Sequence, residues 1–159
     1  MADFIKGQQV RTLVAGNQVV TAALTPPNSG SSSTLFTVTG GSVIVTSLFG
    51  RVTTVLSGTT GSVSLGITPT VGTLNASGIA TTSVIGGKEV GTLLAPFQGA
   101  AGVPGAMVVG SNAGTAVWDT SDFVVDSGVI TWSTTVATMT GAVQWFITYV
   151  PLDTGASVS

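Results

Sequence analysis

The chain has 159 residues, four basic and six acidic side chains, a net charge of −2, no histidine and no cysteine. This excludes Ser/His/Asp and Cys/His nucleophilic centres, zinc sites built on Cys or His, and any disulfide framework. Only 6% of residues are charged, against about a quarter in an ordinary soluble domain.

With so few charges, either Ser, Thr, Asn, Gln and Gly cover the exterior or a partner does; 17 Ser and 26 Thr make the first at least partly true. The length suits one domain with a core of its own, and 43% hydrophobic residues argue against disorder. Lys6, Arg11, Arg51 and Lys88 are scattered, so no basic patch for nucleic acid is expected. No continuous apolar run reaches the length of a membrane span. The opening MADFIKGQQV lacks the basic start and apolar run of a secretory signal, so synthesis and assembly in a cytosol are expected.

Residues 1–33 read as an N-terminal arm and linker, with residues 34–159 forming the domain. FIKGQQVRTLVAGNQVV mixes short apolar pairs with Gln, Asn and Gly, and Pro26, Pro27 and Gly30 follow as a flexible joint. An irregular first strand is one reading of this part. An arm that orders only against a neighbour is the other, and deleting residues 1–30 is then expected to leave the domain folded. From Leu35 to Val90, segments rich in Val, Ile, Thr and Leu alternate with glycine turns, which predicts strands. SVIVTSLF is expected to stop at Gly50 and RVTTVL to form a separate strand. Val43, Val45, Ser47 and Phe49 share one face of the first of these, and Ile44, Thr46 and Leu48 the other, so both faces should be covered. SVSLGI alternates more cleanly and predicts a half-exposed strand with Val63, Leu65 and Ile67 inside.

GTLLAPFQGAAGVPGAMVVG is broken by proline and small residues and reads as an ordered loop over one end of the fold. Further strands follow in AVW, DFVVDSGVITWSTTV and AVQWFITYV, with Asp126-Ser127-Gly128 as a hairpin turn. Pro151 ends the last strand, and LDTGASVS follows as a short polar tail. The fold class is all-β, about eight to ten strands in a β-sandwich of jelly-roll type.

No catalytic, cofactor or metal site is expected, and the chain does not read as an enzyme. Six carboxylates could pair by chance, but none forms a motif. Asp119, Asp122 and Asp126 are the densest cluster; they lack the spacing of a calcium loop and read as turn and cap residues. Trp118, Trp132 and Trp145 could line a sugar-binding groove. Trp132 and Trp145 have apolar neighbours at period two, which favours a core or an interface.

The final strand carries the functional reading. One face presents Val143, Trp145, Ile147 and Tyr149, as a core requires; the other presents Gln144, Phe146, Thr148 and Val150, too apolar for open water. Phe146, Val150 and Tyr149 are the interface candidates on this strand, and Lys6 and Arg11 those on the arm. A neighbouring subunit is the simplest cover, which makes this a structural protein.

Strands such as GSVIVTSLFGRVTTVLSG and the closing ITWSTTVATMTGAVQWFITYVPLDTGASV give the chain its likeness. It resembles small virion proteins of tailed bacteriophages, especially the capsid decoration (cement) proteins that sit on the head. The resemblance implies a homotrimer on the capsid surface, bound to the major capsid protein and bridging capsomers, with Lys6 and Arg11 facing acidic shell surface. It implies no catalytic residue, cofactor, nucleic acid or membrane. A phage tail or fibre protein and a carbohydrate-binding β-sandwich module are the alternatives.

Overall fold

The computed structural model describes residues 15–28, 30–58, 60–73, 75–97, 104–110, 122–134 and 139–159. The strands are β1 (Asn17–Leu24), β2 (Ser32–Thr39), β3 (Val43–Thr54), β4 (Ser62–Pro69), β5 (Asn75–Val84), β6 (Leu93–Ala95), β7 (Val108–Val109), β8 (Phe123–Val125), β9 (Gly128–Thr134), β10 (Ala142–Pro151) and β11 (Ser157–Val158). They form two antiparallel sheets. The first runs β1-β10-β3-β6-β7, with β8 also pairing β3; the second runs β11-β2-β9-β4-β5. Because β10 pairs along one edge of β3, β8 and β6 share its other edge, at Val43–Val45 and at Gly50–Arg51.

β3 is one strand of twelve residues that passes through Gly50 without turning. The expected break there is wrong for a packing reason. Gly50 pairs with Trp145 of β10, and a Cβ on it would lie 2.8 Å from Val143 Cγ1 and 3.1 Å from the Trp145 ring. The missing side chain is what lets the indole sit against the β3 backbone.

The facial grouping expected for β3 also changes along its length. Register against β10 passes from Ser47↔Thr148 to Val45↔Tyr149, leaving Thr46 as an extra residue, a β-bulge that reverses the alternation. Val43, Val45, Leu48 and Val52 therefore face the core, while Phe49 turns outward, away from Val43 and Val45. A second bulge leaves Thr53 extra. Each threonine hydroxyl donates back to β10, Thr46 to the Thr148 carbonyl and Thr53 to the Ala142 carbonyl, both at 3.2 Å. β1 has a bulge between Val20 and Ala23, where Thr21 Oγ1 accepts the Trp145 N–H at 3.0 Å and donates to the Ala22 carbonyl at 2.7 Å. At all three bulges a threonine hydroxyl takes up a backbone bond that the ladder has lost.

The core lies between the sheets. Trp132 of β9 and Trp145 of β10 meet at its centre, ring centroids 5.7 Å apart and planes inclined by 79°. This edge-to-face arrangement adds about 0.5–1.5 kcal/mol to their burial. Val143, Trp145, Ile147 and Tyr149 form the buried face of β10, as its alternation indicates.

Four further expectations are corrected. β4 is not half-exposed: Ser62 and Ser64 are buried along with Val63 and Leu65. β4 is an inner strand between β9 and β5, and β5 arches across it between Ala80 and Asn75 so closely that a Cβ on Gly66 would lie 2.7 Å from Ala76 Cα. The segment Asp126-Ser127-Gly128 is not a hairpin turn, since β8 belongs to the first sheet and β9 to the second. The polar tail ends in β11, where Val158 is buried beside β2 and Ser159 exchanges backbone hydrogen bonds with Thr37. Residues 17–24 form the irregular first strand β1 and residues 32–33 begin β2, so these do not stand apart as arm and linker. Val19 and Leu24 of β1 pack on the core, Pro26 and Pro27 are buried, and the Thr134 hydroxyl donates to the Pro27 carbonyl at 2.6 Å. Deleting residues 1–30 would thus remove a strand. The remainder of the expected arm, with Lys6 and Arg11, lies outside the described residues.

Candidate interaction face

The side chains of β10 that do not enter the core point away from it on the outer face of the first sheet. Their neighbours follow from register. Phe146 stands between Val20 of β1 and Phe49 of β3, so one apolar row crosses three strands. Val150 pairs with Ile44, which pairs with Val124 of β8, making a second apolar row. Between them runs a polar row of Gln18, Thr148 and Ser47, and beyond the first row Gln144 sits opposite Arg51.

The first row is ordered by its own contacts. Phe49 and Phe146 stack with centroids 4.7 Å apart and planes 6° from parallel. The Arg51 guanidinium carbon lies 5.5 Å from the Phe146 centroid, and Arg51 Nη2 donates to Gln144 Oε1 at 3.0 Å. The edges of the face are open: Val20 is 41%, Val150 39% and Val124 63% exposed. Four strands at ~4.8 Å and seven residues at ~3.3 Å make a face of about 440 Å². The whole face, polar row included, is about half of one side of a standard interface.

Of the interface candidates, Phe146 and Val150 lie on this face. Tyr149 does not; it is buried on the core side of β10. Arg51 was missed, because in the sequence it is one of four scattered cations. The available signal was its place two residues after Phe49 in a strand, which sets both side chains on one face.

The other candidate chemistry resolves into structure. Trp132 and Trp145 are fully buried and offer no ring to a sugar; Trp118 lies outside the described residues, as does Asp119. Asp126 Oδ1 accepts from the Ser127 N–H at 2.7 Å and from the Ser42 hydroxyl at 3.3 Å, while Asp153 Oδ2 accepts the Ser42 N–H at 2.7 Å. These carboxylates hold three turns together at one end of the sandwich. Among the described residues no group of three His, Cys, Asp or Glu side chains could hold a metal ion.

Compared with protein families, curated proteins and solved structures, the chain matches none of them.

Proposed function

We propose that this chain is a non-enzymatic virion structural protein, a capsid decoration protein that binds the assembled head and stabilises it by bridging capsomers. It acts as a homotrimer made in the host cytoplasm and placed on the capsid surface, with the major capsid protein as its partner. The observation that carries the reading is the outer face of the first sheet, where two apolar rows, exposed at Val20, Val124 and Val150, lie on a chain with little charge to keep it from contact.

Strand order supports a jelly roll. Within the two sheets β1-β10-β3-β8 and β2-β9-β4-β5 are runs of neighbours, and the chain changes sheet at each step except from β4 to β5 and within β6–β8. Eight strands interleaved in this way suit the jelly rolls found in viral capsid and lectin domains. Fold analogy alone does not assign function; the face favours the capsid reading because it offers contact area.

The mechanism is linkage. A protein that binds only the assembled shell shifts the equilibrium toward that state, and many weak identical contacts sum through multivalency. A face of about 440 Å² per subunit, below the standard size, suits that mode of binding.

The test is to mix the purified protein with undecorated shells and measure co-sedimentation, with sedimentation velocity giving the mass of the free protein. Saturable binding by a trimer is expected. A monomer that leaves shells bare would refute the proposal, and binding to tail tubes instead would establish the tail reading.

A further inference from the structure

We propose that β1 is a self-pairing edge: its open side takes the β1 of a second copy, antiparallel, so that one sheet runs through two chains.

Alternate residues of an antiparallel strand turn their N–H and C=O groups away from the partner. On an inner strand the next strand takes them; on an edge strand they face outward. β1 has β10 as its one neighbour in the first sheet, and among the described residues no backbone bond leaves its other side. The bulge at Thr21–Ala22 keeps its freed groups toward β10. Thr21 Oγ1 accepts the Trp145 N–H, and the Thr21 carbonyl accepts from Gln144 Nε2 at 3.2 Å. Asn17–Val20 remain as a regular run, with Gln18 and Val20 exposed.

Natural sheets guard such edges against copies of the same chain by shortness, charge, proline or a covering segment. The other edges of these sheets are guarded. β7, β8 and β11 have two or three residues each. β5 is covered at Gly105–Met107: the Thr81 N–H donates to the Gly105 carbonyl at 2.9 Å, Ala106 bridges Thr81, and the Met107 N–H donates to Ser83 Oγ at 2.6 Å. β1 is eight residues long and carries neither a charged residue nor a proline.

The missing guards select the occupant. A row of outward N–H and C=O groups is matched by another extended backbone. The guards that β1 lacks are those that act against identical edges, so nothing on it opposes its own copy. A twofold axis near Gln18 makes the contact isologous and sets uncharged residues opposite uncharged residues. The outer faces of the two copies then become one, and the row Phe49–Phe146–Val20 meets its counterpart across the axis. This twofold contact is independent of the decoration reading; where trimers sit on a shell, it joins copies from neighbouring ones.

Disulfide trapping of the free protein at high concentration tests the pairing. The chain has no cysteine, so an introduced one reports on its own surroundings. Opposite Cα atoms in an antiparallel pair lie within disulfide reach. Gln18→Cys and Val20→Cys, separately or mixed, should give a linked dimer under mild oxidation. Leu152→Cys, 51% exposed beyond the end of β10, should not. Gln18→Lys sets two ammonium groups close together across the axis and should weaken self-association at least about tenfold by sedimentation velocity. Gln18 is exposed, so this variant should fold, and its melting curve verifies that. A wild-type chain that stays monomeric, with no link from either cysteine, would overturn the pairing. So would a trimer that Gln18→Lys leaves intact and neither cysteine links, and in that case decoration stands. If Gln18→Lys leaves self-association unchanged but releases the protein from shells, the edge takes a capsid strand and the pairing of copies is refuted.

Discussion

Gly50→Ala separates two readings of a glycine within a strand. On general grounds the change should stabilise, since replacing a strand glycine by alanine is worth roughly 0.5–1 kcal/mol. The structure argues the opposite sign. The new methyl would stand 2.8 Å from Val143 Cγ1 and 3.1 Å from Cε3 and Cζ3 of Trp145, all on fully buried side chains. Trp145 cannot withdraw freely, because its ring edge meets Trp132 across the sandwich. Overpacking of this kind costs about 1–3 kcal/mol, so the net effect should be a destabilisation of about 1–2 kcal/mol. For a chain of this length that lowers Tm by roughly 2–8 °C. The assay is urea unfolding followed by tryptophan fluorescence, where the midpoint should fall with the slope unchanged. Val143→Ala removes the nearest clash, so in the double variant the losses should sum to about 1 kcal/mol less than the two singles. A stabilised Gly50→Ala, or additivity within about 0.3 kcal/mol, would refute the packing of Trp145 over β3.

Thr21→Val keeps the shape but leaves the Trp145 amide without its acceptor, so stability should drop by about 1–3 kcal/mol and that amide should exchange faster, read by hydrogen exchange. Removing residues 1–24 takes away β1 with Val19 and Leu24 and should lower Tm by about 6–12 °C, from about 3 kcal/mol of lost burial. A chelator should leave Tm unchanged, since Asp126 and Asp153 accept hydrogen bonds from the turns they hold; a fall of several degrees would reveal a bound cation.

Much of the candidate face could be read from residues 142–150, where period-two alternation places Phe146 and Val150 opposite the core side chains. Its extent could not. Alternation in the sequence groups Phe49 with Val43 and Val45, and only the bulge at Thr46 turns it outward to stack on Phe146. Arg51 reaches the same face because β3 runs straight through Gly50. The Thr-rich composition suggested surface cover, yet three threonines mend broken ladders and Thr131 and Thr134 are buried.

Composition and alternation alone determined an all-β chain without His or Cys chemistry, and the side of β10 that would be buried. Both depend on properties that residues carry locally: reactive groups, β-branching, and a side-chain direction that reverses at each step. Tertiary structure decided which glycine turns the chain and which one makes room for an indole, which residues are extra in a bulge, and that Asp126–Gly128 crosses between sheets. These depend on the strand lying opposite, which is distant in sequence. A one-residue offset against that partner sends each later side chain to the other face, and no local pattern records the offset.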